Sequence, residues 1–171
     1  MTYTVPPSTP ADGNIKTLWV PAIADIRAPK LSELSAGTVV DISLYITKGG
    51  FEFQPEQQYI EDGREPLKFV GQALGNVSVS NTAVTVIDNT GGPYEAEHNA
   101  AIEALVGDGY IVRRYGPAWD AALAATTQKV TVLDCAAGEK TRMAAEANSS
   151  FRSKVPLAVR DYAQDVAIAT S

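Results

Sequence analysis

Short stretches in which apolar and polar residues alternate recur along the chain, separated by breaks rich in Gly, Pro and Asn. Side chains two positions apart share one face of a β-strand, so this pattern predicts strands that each bury one face. Within residues 39–47 the alternation predicts that Ile42, Leu44 and Ile46 face a core. Many short strands in one chain are typical of a sandwich or barrel.

The pattern predicts about nine strands, at residues 15–23, 39–47, 51–59, 67–70, 83–87, 110–115, 128–135, 151–159 and 162–169. One clear helix is predicted at residues 94–106, between Pro93 and Gly107, with His98 on its apolar face. A short helical turn is predicted at residues 30–35. We therefore predict a mainly β fold, a sandwich or barrel of two antiparallel sheets with one flanking α-helix.

The 171 residues suffice for one domain with its own core. Residues 1–14 are rich in Pro and Thr and predict a flexible N-terminal arm. Residues 15–171 are predicted to form a single β domain, from which residues 47–66 protrude as a hairpin around Gly49-Gly50 and Pro55. Because we find no secretory signal and no apolar run of about 18 residues, we expect cytoplasmic synthesis and no membrane partner.

The formal net charge is -6, from 14 Lys and Arg against 20 Asp and Glu. This balance disfavours tight nucleic-acid binding, which depends on neutralising phosphates with basic side chains. Six acids against two bases lie between residues 41 and 65. The acidic face is either solvated or lines a channel or an interface between stacked subunits; its residues are Asp41, Glu52, Glu56, Glu61, Asp62 and Glu65.

The opposite bias occurs near the C-terminus, where Lys140, Arg142, Arg152, Lys154 and Arg160 outnumber the nearby acids. An acidic hairpin and a more basic C-terminal region would suit head-to-tail stacking of identical chains. Such a heterologous contact makes rings or filaments. Electrostatic complementarity of this kind sets register more than affinity.

The chain is short of groups for catalysis. It has one histidine, His98, and one cysteine, Cys135, without a CxxC partner. Glu95 and His98 have the spacing of a di-metal carboxylate motif, but such sites need two copies and the sequence has one. Nucleotide-binding glycine motifs and a GxSxG elbow are missing from the sequence. We therefore predict no catalytic residues, no metal site and no cofactor.

Three segments, in this order, resemble a known family. Residues 28–38 read APKLSELSAGT, residues 109–116 read GYIVRRYG, and residues 144–152 contain AEAN followed by Phe151-Arg152. Together they are similar to the major tail proteins, or tail tube proteins, of long-tailed phages that infect actinobacteria. The resemblance spans about residues 28–169.

This resemblance implies a structural protein, not an enzyme, with two packed antiparallel sheets and a flanking helix. Six copies would join into a ring, and rings would stack through the hairpin at residues 47–66 and the arm at residues 1–14. The resemblance further implies a negatively charged lumen that passes DNA without binding it specifically. It implies tape-measure, tail-tip and terminator proteins as partners, and a place in the virion tail after assembly in the host cytoplasm.

Alternatives remain open at this level. A tail-like particle from a defective prophage would use the same fold. A monomeric β-sandwich that binds carbohydrate would use Trp19, Trp119 and exposed tyrosines as stacking platforms. A small hydrolase has no motif in its favour.

Overall fold

A computed structural model describes residues 5–66 and 68–170. This part of the chain contains two short helices, α1 (Leu31–Leu34) and α2 (Ala100–Ala104). It also contains ten strands: β1 (Ile15–Val20), β2 (Val40–Asp41), β3 (Ile46–Glu52), β4 (Pro55–Asp62), β5 (Gly71–Val79), β6 (Ala83–Ile87), β7 (Gly107–Tyr115), β8 (Lys129–Ala137), β9 (Thr141–Arg142) and β10 (Arg152–Ala167). The fold is therefore mainly β, which confirms the predicted fold class.

The main sheet is antiparallel and has the strand order β2-β1-β7-β8-β10-β6-β3, with β9 beside β10. The long strand β10 joins its two halves, because its first residues pair with β6 and its later residues pair with β8. Residues 42–45 connect the edge strands β2 and β3, and the Ile87 N–H donates to the Tyr45 carbonyl across this connection (2.8 Å). The sheet thus curls back on itself. Strands β4 and β5 form a separate two-stranded sheet.

Two hydrophobic clusters lie on opposite faces of strands β1, β7 and β8. Neighbouring residues of one strand point to opposite faces, so Ile111 belongs to the first cluster and Val112 to the second. The first cluster fills the curl of the sheet with Trp19, Val84, Val86, Leu133, Cys135 and Val155. The second packs Leu18, Val132, Ala163 and Ile168 against Leu34 of α1. Burying each large aliphatic side chain contributes about 1.5–3 kcal/mol, so these clusters dominate the stability of the domain.

The predicted helix at residues 94–106 is wrong over its first half, because only Ala100–Ala104 is α-helical. Side chains in this region bond to nearby backbone and fold the preceding residues into turns. The Gly91 N–H donates to Glu95 Oε2 (2.9 Å), and the Asn89 N–H donates to Asn99 Oδ1 (3.2 Å). The side chain of His98 is 61% exposed, so it does not lie on a buried face. The short turn predicted at residues 30–35 is confirmed as α1.

Several predicted strands differ from those observed. Residues 39–47 do not form one strand, since a turn at 42–45 leaves Leu44 67% exposed. Residues 68–70 are not a strand, and position 67 lies outside the described residues. Gly49, with φ +75°, belongs to a bulge inside β3 and not to a hairpin turn. The last two predicted strands are one continuous strand, β10.

The hairpin that leaves the main sheet spans residues 55–79 and overlaps the predicted range of 47–66 only in part. Strand β3 stays in the main sheet because it pairs with β6 and because Phe51 packs against the first cluster. The chain leaves the sheet from Pro55, which pairs with Val79 at the base of the hairpin.

The predicted arm at residues 1–14 is described only from residue 5 onwards. Residues 5–10 have no regular secondary structure and are exposed. The chain then attaches to the domain, since the Trp119 N–H donates to the Gly13 carbonyl (2.9 Å) and the Gly116 N–H donates to the Asn14 carbonyl (3.0 Å).

Candidate functional site

The hairpin β4–β5 exposes large apolar side chains. Its two strands pair with each other and, among the described strands, with no other. The most exposed apolar side chains are Phe69, at 79%, and Leu74, at 73%, and Tyr59, Ile60, Val70 and Val77 are also exposed. Contiguous exposed apolar surface in a soluble protein marks a site of protein–protein contact. We call residues 55–79 the assembly hairpin.

Both faces of the assembly hairpin carry apolar residues. Tyr59 lies opposite Leu74 in the ladder, and the next pair is Ile60 opposite Ala73. Because successive pairs point to opposite faces, one pair lies on each side of the ribbon. A free two-stranded ribbon is only marginally stable in water, so partners that cover it would stabilise it.

Four of the six predicted acidic residues belong to the assembly hairpin. Glu56, Glu61 and Asp62 are on β4, and Glu65 is in the loop that joins β4 to β5. Asp62 accepts from the Nε of Arg64 (3.2 Å). Among the described residues, Glu56, Glu61 and Glu65 have no ion pair, so their charges remain available to another molecule.

The other two predicted acidic residues lie on opposite edge strands of the main sheet and are neutralised there. Lys16 Nζ lies 2.9 Å from Asp41 Oδ2, and Lys154 Nζ lies 2.7 Å from Glu52 Oε2. Burial raises the pKa of the Asp41 carboxyl, but hydrogen bonds from Ser43 and Lys16 outweigh it and hold the pKa below its ordinary value. The structure therefore does not gather all six acids on one surface.

The basic C-terminal region is also balanced within the chain. Each of its five cations has an acidic partner: Lys140 and Arg142 at Asp88, Arg152 at Glu146, Lys154 at Glu52, and Arg160 at Asp108 and Asp134. These cations are not free to attract the acidic hairpin of another copy. The expected electrostatic match between these two regions is therefore not supported by the structure.

A groove opens where the two halves of the curled sheet meet residues 11–13. Its volume is about 430 Å³, and its walls include Leu44, Ile46, Phe51 and Trp119. We call this space the edge groove. Its lining combines these apolar side chains with the hydroxyls of Thr17, Ser43 and Thr47 and the charged side chains of Asp12, Lys48 and Arg113.

Arg113 supplies a partly buried cation to the edge groove. Its guanidinium lies over the ring of Phe51, with Cζ 4.0 Å from the ring centroid, and 5.3 Å from the ring centroid of Tyr115. Burial lowers the pKa of Arg113. Its Nε is buried without a hydrogen-bond acceptor, and the described residues provide it with no ion pair. Sequence reasoning missed this residue, although strand alternation places Arg113 and Arg114 on opposite faces of β7.

Comparison with known proteins decides the family. A family model described as "Phage tail tube protein" matches residues 2–171. The chain belongs to the phage tail tube protein family. No curated protein matches the chain. Among solved structures, a chain in "Cryo-EM structure of the anti-feeding prophage (AFP) baseplate, 6-fold symmetrised" is similar to it with a TM-score of 0.52 and 8% sequence identity, over 94% of this chain and 96% of that chain. At that identity the likeness shows the fold alone.

Family membership establishes what kind of protein this is. Phage tail tube proteins are structural, so the chain is a structural component of a virion tail that assembles with other tail components. This outcome confirms the family that the three sequence segments resemble.

In this member of the tail tube family, Arg114 fixes the loop that forms one wall of the edge groove. The side chain is buried, and its Nη1 donates to the Ala121 carbonyl (2.9 Å) and to Gln128 Oε1 (3.3 Å). Its Nη2 donates to the Ala118 carbonyl, next to Trp119. Burial lowers the pKa of Arg114, partly offset by the charges of Asp41 and Asp120.

The residues considered for catalysis are not brought together. Cys135 is buried in the first cluster, and burial raises the pKa of its thiol to about 11, so the thiol stays protonated at neutral pH. His98 is exposed beside Glu97 (3.9 Å). Over residues 5–66 and 68–170, no three His, Cys, Asp or Glu side chains are grouped as metal ligands would be. No helix in those ranges has the length and apolar character needed to cross a bilayer.

Proposed function

We propose that this chain is the repeating subunit of the phage tail tube, in which six copies close into a ring and rings stack into a channel for DNA. The observation that carries the proposal is the assembly hairpin, which exposes Tyr59 and Leu74 on one face and Ile60 on the other. In water these side chains are unfavourably exposed, and contact between copies would bury them. Ring contacts would also pair the short exposed edge strands of the main sheet.

Six-fold symmetry is part of the proposal. The fold is similar to that of a chain in a baseplate whose structure is described as 6-fold symmetrised. A heterologous contact between identical chains closes into a ring when its rotation divides a full turn. The curled sheet and the hairpin provide two different surfaces for such contacts.

We further propose that the acidic side chains face the lumen or the junction between rings. Glu56, Glu61 and Glu65 support this best, because the described residues leave them without ion pairs. Asp41, Glu52 and Asp62 belong to the same proposal but would add less negative charge, because each is paired with a cation of its own chain. Acidic walls repel DNA phosphates, so DNA would slide without specific binding. The net charge of -6 agrees with that role.

The tube subunit would have no catalytic activity. Its partners would be further copies of itself and the tape-measure, tail-tip and terminator proteins, and assembly would take place in the host cytoplasm. The competing carbohydrate-binding interpretation loses one of its platforms, because Trp19 lies in the first cluster and is 4% exposed. The same fold would serve a tail-like prophage particle.

Negative-stain electron microscopy of the concentrated protein, with its mass from light scattering, tests the proposal. We expect rings or hollow tubes with a central channel. A protein that remains monomeric at every concentration and binds glycans would contradict the proposal and favour the binding module.

A further inference from the structure

We propose that the edge groove is the receptor for the assembly hairpin of a second copy of this chain. This inference rests on the proposed function, in which identical copies stack, and it names the two surfaces that meet. Leu44 and Trp119 mark the groove, and Phe69 and Leu74 mark the hairpin.

The apolar groups of the two surfaces are complementary. Leu44 is 67% exposed at the rim of the edge groove, above the partly buried Ile46 and Phe51. The hairpin presents Phe69 and Leu74 with more than two thirds of each side chain exposed. A groove of about 430 Å³ accommodates side chains of this kind, whose burial removes apolar surface from water on both partners.

The net charges of the two surfaces are opposite: the groove has Lys48 and Arg113 against Asp12, and the hairpin has four acids against Arg64 and Lys68. Arg113 presents a partly buried cation whose Nε has no acceptor among the described residues. A buried polar group without a partner is unfavourable, and a carboxylate from outside would satisfy it. The hairpin offers Glu56, Glu61 and Glu65, none of which has an ion pair in the described part of the chain.

Lys48 adds a second cation at the rim of the groove. It pairs with Asp12 at 3.1 Å, and both side chains are almost fully exposed to water. Exposed pairs of this kind are weak and easily exchanged. An incoming hairpin carboxylate can therefore replace Asp12 as the partner of Lys48, while the hydrogen bond from Trp119 keeps Gly13 in place.

The hairpin and the groove are different surfaces of one chain, so the contact is head-to-tail. Each copy offers one hairpin and one groove, and each added copy presents both again. When the contact continues from copy to copy, as stacking requires, it builds an extended assembly.

Cysteine cross-linking tests the contact, because the native Cys135 is buried and unreactive. Each variant of the full chain carries Leu44→Cys together with one of Phe69→Cys, Leu74→Cys or Val77→Cys. A disulfide between the two positions reports contact, because it forms only when the two Cα atoms approach within about 7 Å. We expect at least one pair to give a ladder of disulfide-linked multimers on a non-reducing gel. The matched control pairs Leu74→Cys with Val106→Cys, which is 69% exposed but lies outside the groove.

Single-cysteine variants provide the second control, because a head-to-tail contact brings two different residues together. We expect no ladder from Leu44→Cys alone. Adding Lys48→Glu to the cross-linking pair should slow disulfide formation about tenfold, and adding Glu61→Lys as well should restore part of the rate.

The inference is overturned if no groove–hairpin pair cross-links faster than the Val106→Cys control. If hollow tubes are still seen by electron microscopy in that case, the edge groove is not the receptor for the hairpin, but the proposed tube function is unaffected. If a groove–hairpin pair gives a ladder but electron microscopy shows neither rings nor tubes, the groove–hairpin contact is supported and the proposed tube function is not.

Discussion

Lys140 Nζ lies 3.1 Å from the Oδ2 of Asp88, a carboxylate with no exposed side-chain surface. The Ser153 hydroxyl also donates to this carboxylate, and so does the Thr90 N–H (3.0 Å). Asp88 follows β6, Lys140 precedes β9 and Ser153 belongs to β10. One buried acid therefore joins three separate parts of the chain at one end of the curled sheet.

Replacing Asp88→Asn should destabilise the monomer by about 2 kcal/mol, because the hydrogen bonds to a charged acceptor are weakened or lost. Urea unfolding at neutral pH measures the change. The matched control is Asp62→Asn, whose exposed pair with Arg64 should contribute less than about 0.5 kcal/mol. Equal effects of the two substitutions would contradict this account of Asp88.

Acid should weaken the contacts that Asp88 makes with Ser153, Thr90 and Lys140. Burial raises the pKa of Asp88, but hydrogen bonds from Ser153, Thr90 and Lys140 outweigh it and hold the pKa well below the ordinary value of 3.8. A depressed pKa in the folded state stabilises the fold above pH 3.8, and this stabilisation is lost as the pH falls from there through the folded pKa. The difference in unfolding free energy between wild type and Asp88→Asn should therefore shrink on acidification. A difference that stays constant down to pH 2 would exclude the linkage.

Arg114→Met should destabilise the protein by about 3 kcal/mol, since it removes the buried guanidinium that donates to the Ala118 and Ala121 carbonyls of the 116–128 loop. The loop should also become sensitive to limited proteolysis. Arg64→Met, at an exposed position, serves as the control and should change neither property. Wild-type resistance of the loop in Arg114→Met would show that the loop does not depend on this side chain.

Gly109→Ala should destabilise the domain by about 1–3 kcal/mol through overpacking. A Cβ at this position would overlap the indole of Trp19, which is buried in the first cluster. Urea unfolding followed by tryptophan fluorescence reports both the stability and the displaced indole. Gly37→Ala has open space around its new methyl group and should stay within about 0.5 kcal/mol of wild type.

Shortening the assembly hairpin should separate folding from assembly. Joining Glu56 to Ser78 through an Asn-Gly turn preserves a cross-strand pair and removes the exposed apolar residues. We expect a thermal midpoint within about 4 °C of wild type and a monomer in sedimentation velocity. Leu74→Thr with Tyr59→Thr keeps the hairpin length and should also prevent assembly. Tubes formed by the shortened chain would contradict the role of the hairpin.

The N-terminal arm should also be needed for assembly but not for folding. Deleting residues 1–10 should leave the fold intact, because the described part of this segment, residues 5–10, is exposed and without regular structure. Gly13 and Asn14 are retained, since their carbonyls accept from the 116–119 loop. If the arm takes part in stacking, the truncated chain should form shorter tubes or none. Full-length tubes from this variant would remove the arm from the assembly mechanism.

The sequence predicts the buried strands well and the hairpin poorly. Strands β6, β7 and β8 are rich in β-branched and apolar residues that pack on both faces, so composition alone indicates them. Strand β5 contains Gly75 and mostly small or polar residues, and it is held chiefly by pairing with β4. The sequence of β5 alone therefore does not indicate a strand, because its structure depends on pairing with β4.

The predicted helix and the charges of the predicted acidic face both depend on contacts that local composition does not show. Residues 94–98 have a helical pattern, but bonds from Gly91 to Glu95 and from Asn89 to Asn99 favour turns. Among the acids, Glu52 is neutralised by Lys154, which lies 102 positions away in sequence. Contacts between residues so far apart are set by the fold and cannot be read from local composition.

Cryo-electron microscopy of the assembled full chain tests the central claim most directly. The account requires a hollow tube with six copies in each ring, a continuous β-lined channel, and assembly hairpins that reach neighbouring copies. Closed dimers, solid fibres, or tubes with a different number of copies in each ring would contradict it.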